Sequence, residues 1–197
     1  MTKPNDAANT IKIRSYVAAD FEDMVLTING AAEAYRGVIP ADCWHDPYMP
    51  AEDLRSEMAD GVEFSVSLIQ NRVVGLMGVQ RRQNVDLIRH AYVSPASQGL
   101  GVGSALLDHL CDGAVRPILV GTWRAAEWAI RFYSRHGFAS VDNDDISALL
   151  RTYWNVPERQ IATSVVLARP ALSRAEAGRL LSEVGAVPKP SEPSPGL

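Results

Sequence analysis

Apolar and polar residues alternate along Ile11-Lys12-Ile13-Arg14-Ser15-Tyr16-Val17, a period of two that predicts a first strand. Asp20 then reads as an N-cap. Asp23 follows three residues later, and Met24, Val25 and Ile28 share one helix face, so a helix is expected to about Tyr35, stopping at Gly37. A short helix is expected from Ala51 to Asp60, ended by Gly61. Val62–Ile69 and Val73–Gln80 read as the second and third strands, with Gln70-Asn71-Arg72 as their hairpin turn. Gly75 and Gly78 within the third strand imply close packing or a bulge. After a turn at Arg81–Asn84, Val85–Val93 reads as the fourth and central strand. Its core-facing positions Ile88, Ala91 and Val93 are spaced three and then two apart, which predicts an irregularity such as a bulge.

Beyond this point helical and strand patterns alternate. A helix opens at Gly101 and ends at Gly113, and Pro117–Trp123 reads as the fifth strand. Arg124–Arg135 is the next helix, carrying Trp128, Ala129, Phe132 and Tyr133 on one apolar stripe, with Gly137 as its C′ cap. Phe138–Val141 begins a strand and Asn143-Asp144-Asp145 a turn. Ile146–Trp154 fits a short helix or an edge strand. Ile161–Leu167 reads as the last strand, paired to the fifth or sixth, and a helix follows from about Ser173 to Glu183. The expected organisation is one α/β domain over residues 1–170, with a helix and a Pro-rich mobile tail over 171–197 (Pro188, Pro190, Pro193, Pro195).

Composition narrows the classes. The chain of 197 residues is 47% hydrophobic and 21% charged, as in ordinary soluble domains. A net charge of -4 and the lack of a basic stripe argue against a nucleic-acid partner. Cys43 and Cys111 form neither a disulfide framework nor a metal-ligand spacing, and they fit a reducing cytoplasm; no metal is expected. No run reaches the ~18 apolar residues of a membrane span, and the polar start is not a signal peptide.

Chemistry concentrates in Gln98-Gly99-Leu100-Gly101-Val102-Gly103, set between the fourth strand and a helix that Ser104 continues. Glycines admit positive φ and close approach of a ligand, while the first helical N–H groups are unpartnered and carry the positive end of the dipole. A diphosphate suits such a turn. The turn lacks the Gly-Lys-Ser/Thr of a P-loop. A dinucleotide fingerprint would need a glycine or alanine where Ser104 stands. Alone, the turn reads more readily as a tight strand-to-helix connection without a ligand.

The turn is preceded by Val93-Ser94-Pro95 and followed, about thirty residues on, by Phe132-Tyr133-Ser134-Arg135-His136-Gly137-Phe138. In this order and spacing the chain resembles the GNAT superfamily of acetyl-CoA-dependent N-acetyltransferases, from about Ile11 to Leu167. One departure is that Ala125 and Ala126 stand where many members carry an asparagine. The resemblance implies a single mixed, mostly antiparallel sheet of six to seven strands with flanking helices, splayed between the fourth and fifth strands.

It further implies acetyl-CoA as cosubstrate. Gln98, Gly99, Leu100, Gly101, Val102, Gly103 and Ser104 would hold the diphosphate, and backbone groups of Ala91, Tyr92 and Val93 the pantetheine arm. The helix period alone makes Tyr133 a core residue; in the family context it is the general acid, a phenol neutral at pH 7. The glutamate that many members place on the fourth strand falls on Leu87 here. His90 then stands as the candidate base, or as a structural histidine, and Glu63 as a base acting through water. The proline-interrupted stretch from Tyr35 to Pro50 is either one wall of the acceptor pocket or a loop packed over the core, and it can be both. Tyr35, Trp44, Asp46 and Tyr48 are its candidate acceptor contacts, with Trp123 on the fifth strand. The expected activity is N-acetylation of a small-molecule primary amine. The alternatives are a protein N-terminus or lysine as acceptor, or a non-catalytic acyl-CoA-binding module. Monomer and homodimer both stay open.

Overall fold

The structure is a computed structural model, and it describes residues 10–185. Its strands are β1 (Lys12–Ser15), β2 (Val62–Ile69), β3 (Arg72–Arg82), β4 (Val85–Val93), β5 (Ile118–Trp123), β6 (Ala139–Ser140) and β7 (Ser164–Arg169). They form one sheet in the order β1-β2-β3-β4-β5-β7-β6. Every neighbouring pair is antiparallel except β4 and β5. The helices are α1 (Phe21–Ala32), α2 (Ala51–Ala59), α3 (Val102–Cys111), α4 (Glu127–Arg135), α5 (Asn143–Tyr153), α6 (Glu158–Thr163) and α7 (Arg174–Gly185). Among the described residues no helix is long and apolar enough to cross a membrane.

Two large apolar clusters, with a small third one at Ile39, Trp123 and Ala126, hold these layers together. Met24 and Ile28 of α1 and Leu54 of α2 pack with Val66 and Leu76. Leu106 and Leu107 of α3 pack with Leu87, Leu119 and Leu167, and the same cluster extends to Leu149 of α5. Burying a side chain of this size contributes about 1.5–3 kcal/mol. Gly75 lets α3 close on β3: a Cβ there would stand 2.7 Å from Val102 Cγ1. The β2–β3 hairpin turns through Gln70 and Asn71, both at positive φ (51 and 61°), as a two-residue turn requires. At the other end of the chain, Leu180 and Leu181 of α7 join the second cluster. Asn84, in the β3–β4 turn, donates to Leu180 O at 3.1 Å and accepts from the Tyr153 hydroxyl at 2.7 Å.

Several local expectations change. Asp20 makes no side-chain cap on α1. Its buried carboxylate accepts from Arg14 Nη1 and Nη2 (2.6 and 2.8 Å) and from the Val17 N–H (2.9 Å). Arg14's hydrogen bonds hold that carboxyl below the usual range against the opposing effect of burial. A carboxylate 6 % exposed is stabilised better by a guanidinium than by helix amides alone. Asn143–Asp145 is the first turn of α5, where Asp142 accepts from Asp144 N (3.1 Å), and the stretch after it is helical, not an edge strand. Ile161–Thr163 ends α6 and is not strand: Pro157 starts a helix, and β7 begins at Ser164. β7 pairs with both β5 and β6.

Candidate active site

The site begins where β4 leaves β5. Their parallel pairing covers Asp86↔Ile118, Leu87↔Leu119 and Ile88↔Val120 and goes no further. From Arg89 to Val93, β4 is paired to β3 alone. The β3–β4 register shifts between Leu76 and Gly78, and His90 opposite that shift sits at φ 50. This is the irregularity that the three-then-two spacing predicted. It turns one edge of the strand toward the gap, with backbone donors and acceptors left for a ligand to pair as an added strand would.

Past Ser94 the chain makes a 3₁₀ turn (Pro95–Ser97) and enters the glycine turn. Gly101, at φ 84 and ψ 2, is the left-handed residue that starts α3. The Ala105 N–H reaches Gly101 O at 3.0 Å, so those of Val102, Gly103 and Ser104 precede the helical ladder. A cavity of about 550 Å³ lies along the turn and the splayed strands. Ala91, Tyr92, Val93, Gln98, Gly99, Gly101, Val102, Gly103 and Ser104 all line it. Leu100 does not; its side chain stands 46 % exposed on the outside of the turn.

The same cavity is lined by Tyr133 and His90. Tyr133 is buried, with the Phe132 and Phe138 rings edge-on at 5.1 and 5.5 Å. Burial, and then the neighbouring Tyr35 and Cys111, push its phenol well above the usual tyrosine value, so it stays protonated at any working pH. His90 faces α2, where its Nε2 lies 3.2 Å from Glu57 Oε2. The same carboxylate oxygen accepts from Arg89 Nη2 at 2.6 Å, and Arg89 Nη1 donates to Gln80 Oε1 at 2.6 Å. Burial raises the Glu57 carboxyl, but His90, Arg89 and Arg82 outweigh it and hold the group below the usual range. Glu57 is thus a carboxylate facing His90, and sequence reasoning missed it. Its signal was the spacing to Leu54, three residues back, which places Glu57 beside the buried stripe of α2.

Glu63 is not brought to the site. Between the buried Val62 and Phe64 it takes the solvent face of β2, where it pairs with Arg81 at 2.9 Å. Arg81 and its neighbour Arg82, which pairs with Asp60, are likewise engaged away from the glycine turn.

On the far side of the gap the wall from Tyr35 to Pro50 folds as an aromatic stack. Tyr35 stacks on Tyr48 at 5.9 Å and meets Trp128 at 5.5 Å, and Trp44 leans on Tyr48 at 5.4 Å. Burial pushes the Tyr35 phenol up to about 12, with the nearby Thr122 side chain opposing the shift. Burial, and then the neighbouring Tyr48 and Tyr35, push the Tyr92 phenol well above the usual tyrosine value. Tyr35, Tyr48 and Trp123 line the cavity. Trp44 stands behind them under the Arg36 guanidinium, 4.5 Å from its ring centre. Asp46 lies outside, 74% exposed and paired with Arg36, and Asp42 is paired with Arg159. Trp128, Leu150 and Trp154 line the cavity as well. Trp128 read as part of an apolar core stripe, yet it is 40 % exposed, at the cavity's edge.

Residues 26–151, more than half of the chain, match the model of the acetyltransferase (GNAT) domain. The chain belongs to the GNAT acetyltransferases. It is an acyl-CoA-dependent enzyme, with acetyl-CoA as cosubstrate. Solved structures share the fold at low identity. A GNAT-family acetyltransferase from Staphylococcus aureus Mu50 superposes with a TM-score of 0.61 at 20% identity, covering 81% of this chain and 98% of its own. The PaiA N-acetyltransferase from Thermoplasma acidophilum, solved in complex with coenzyme A, gives 0.60 at 16% identity over 81% and 98%. The ribosomal-protein-S18-alanine N-acetyltransferase from Escherichia coli gives 0.58 at 15% over 81% and 92%. No sequence match to a curated protein was found.

Proposed function

We propose that this GNAT enzyme acetylates the primary amine of a small molecule by direct attack within a ternary complex. One observation carries the reading: a single cavity collects the glycine turn, the unpaired half of β4, Tyr133, His90 and an aromatic wall. In this reading the turn from Gln98 to Ser104 holds the diphosphate, and Ala91 to Val93 pair with the pantetheine amides. The amine nitrogen attacks the thioester carbon, and a backbone N–H near Val93 stabilises the charge that develops on oxygen. His90 takes the proton of the incoming ammonium, with Glu57 fixing its ring. The C–S bond breaks, Tyr133 gives its proton to the leaving sulfur, and the second proton shed by the attacking nitrogen as the amide forms restores the phenol through solvent.

The small-molecule acceptor is supported by the wall, since Tyr35 contacts both Tyr48 and Trp128 and so joins three rings into one aromatic face for a compact ligand. No carboxylate lines the cavity among the described residues, so the rings, rather than Asp42 or Asp46, would recognise the acceptor. The two free thiols support a cytoplasmic setting. The test is thiol release from acetyl-CoA against a panel of aliphatic and aromatic amines, with peptides bearing free N-termini or lysines alongside. Turnover on one or more amines is expected. Turnover on peptides alone would transfer the role to a protein acceptor.

A further inference from the structure

His136 lies behind the glycine turn, at the end of α4, and does not itself line the cavity. Its Nδ1 is 2.8 Å from Phe132 O, and its Nε2 is 2.9 Å from Ser104 Oγ. A carbonyl oxygen only accepts, so Nδ1 must carry a hydrogen. In the neutral ring Nε2 is then bare, and the Ser104 hydroxyl donates its single proton to it. Ser104 lines the cavity at the start of α3. With its proton committed to His136, the hydroxyl has only lone pairs to offer an anion in the turn. Once His136 is protonated, Nε2–H donates to Ser104 Oγ, and the serine proton is released to point at the anion.

We infer that His136 is a positioning residue for the coenzyme, setting whether Ser104 repels or grips the diphosphate. The inference rests on the reading that the turn binds that group. Protonation of His136 and binding of the diphosphate then favour each other, and the coupling is reciprocal: the ligand raises the histidine's affinity for its proton by the same factor. A charge-assisted hydrogen bond is about twice as strong as a neutral one, so a tenfold effect, about 1.4 kcal/mol, is the expected scale.

The charged groups around it are few. Arg135 neighbours it on α4, and Arg169 of β7 reaches its carbonyl oxygen at 3.5 Å. On α3, Cys111 lies against Arg169, and burial keeps its thiol protonated. The Phe132 ring, 4.5 Å away, carries no charge.

The experiment uses the full chain and 3′-dephospho-coenzyme A, which keeps the diphosphate but lacks the phosphomonoester that would titrate in the same range. Calorimetry between about pH 8 and about pH 5.5, on either side of the ordinary imidazole value, should show affinity rising about tenfold. His136→Phe and Ser104→Ala should each flatten that profile, with folding checked by circular dichroism. Imidazole ¹⁵N spectra of the parent should show the Nδ1–H tautomer in the neutral ring and a titration midpoint that rises on ligand binding. A flat parent profile, an unmoved midpoint, or an unchanged profile in a folded His136→Phe variant overturns the inference. If dephospho-coenzyme A does not bind the parent at all, the coenzyme assignment of the turn falls with it.

Discussion

The turn from Gln98 to Ser104 and the wall from Tyr35 to Tyr48 meet at one cavity, yet the first presents backbone and the second presents rings. A backbone site depends on conformation. Gly99 and Gly101 at φ 78 and 84 aim the amides, and a Cβ on either would meet no atom within 4 Å. A ring site depends on neighbours, because Tyr35 is held by Tyr48 and Trp128, which come from separate parts of the chain. The first should therefore fail through strain and charge, and the second through lost contact. The two should report on different substrates.

The largest break is expected at the turn. Gly101→Ala meets open space and suffers only from its positive φ, a cost of roughly 1–2 kcal/mol or about tenfold in affinity for acetyl-CoA. Gly101→Glu adds a negative charge to the cradle, and calorimetry should show binding weakened by about 100-fold or more. Unchanged affinity in the folded glutamate variant would remove the diphosphate from the turn. Tyr133→Phe comes next: turnover should fall by ~10²-fold while acetyl-CoA binds as before. Turnover within a few-fold of the parent would leave Tyr133 a core tyrosine.

Glu57→Gln should lower turnover by about tenfold, through loosened control of His90. The Glu57 carboxyl lies below its usual value, so in the fold it stays ionised as pH falls past the range where it would protonate in the unfolded chain. Its stabilisation is present above that unfolded value and is lost only as pH falls through the lower folded one. The Glu57 carboxylate should therefore keep its charge on mild acidification, and Glu57→Gln should alter the shape of the pH–rate profile. An unaltered shape would show the carboxylate to be structural only.

At the wall the effects shrink. Tyr48→Ala removes a stacked ring worth about 0.5–1.5 kcal/mol, so the acceptor KM should rise about 3- to 10-fold with that of acetyl-CoA unchanged. Asp46→Asn, at a side chain already 74% exposed, should change neither constant. A rise in acceptor KM from Asp46→Asn alone would mean that recognition is electrostatic and that the stack only packs.

The same contrast explains what could be read from the sequence. The turn is made by consecutive residues, and so is the β4 bulge, whose signature was the spacing of Ile88, Ala91 and Val93. Both were legible because the residues that make them are neighbours in the chain. The strands and most helices were legible for the same reason. Trp128, Leu150 and Trp154 reach the cavity, and Glu57 reaches His90, through tertiary packing, so each read as an ordinary surface or core position. The pairing of Asp20 with Arg14 instead of α1 was hidden in the same way, since N-cap chemistry and ion-pair chemistry use the same carboxylate. Ile161–Thr163 read as strand because β-branched residues and alternation outweighed Pro157, four residues upstream.

The place of β7 has a consequence for how the protein is made. β7 lies between β5 and β6, and Ser164 to Ala168 are all buried. A ribosome releases β5 and β6 before the strand that separates them exists. Until residue 169 is free, the nascent chain carries an open sheet edge along Ile118–Trp123, and β6 has no strand to pair with. Synthesis from N- to C-terminus therefore leaves the half of the sheet beyond β5 to close late. During that interval the edge of β5 offers unpaired backbone N–H and C=O groups, the condition in which sheet edges are prone to mispairing.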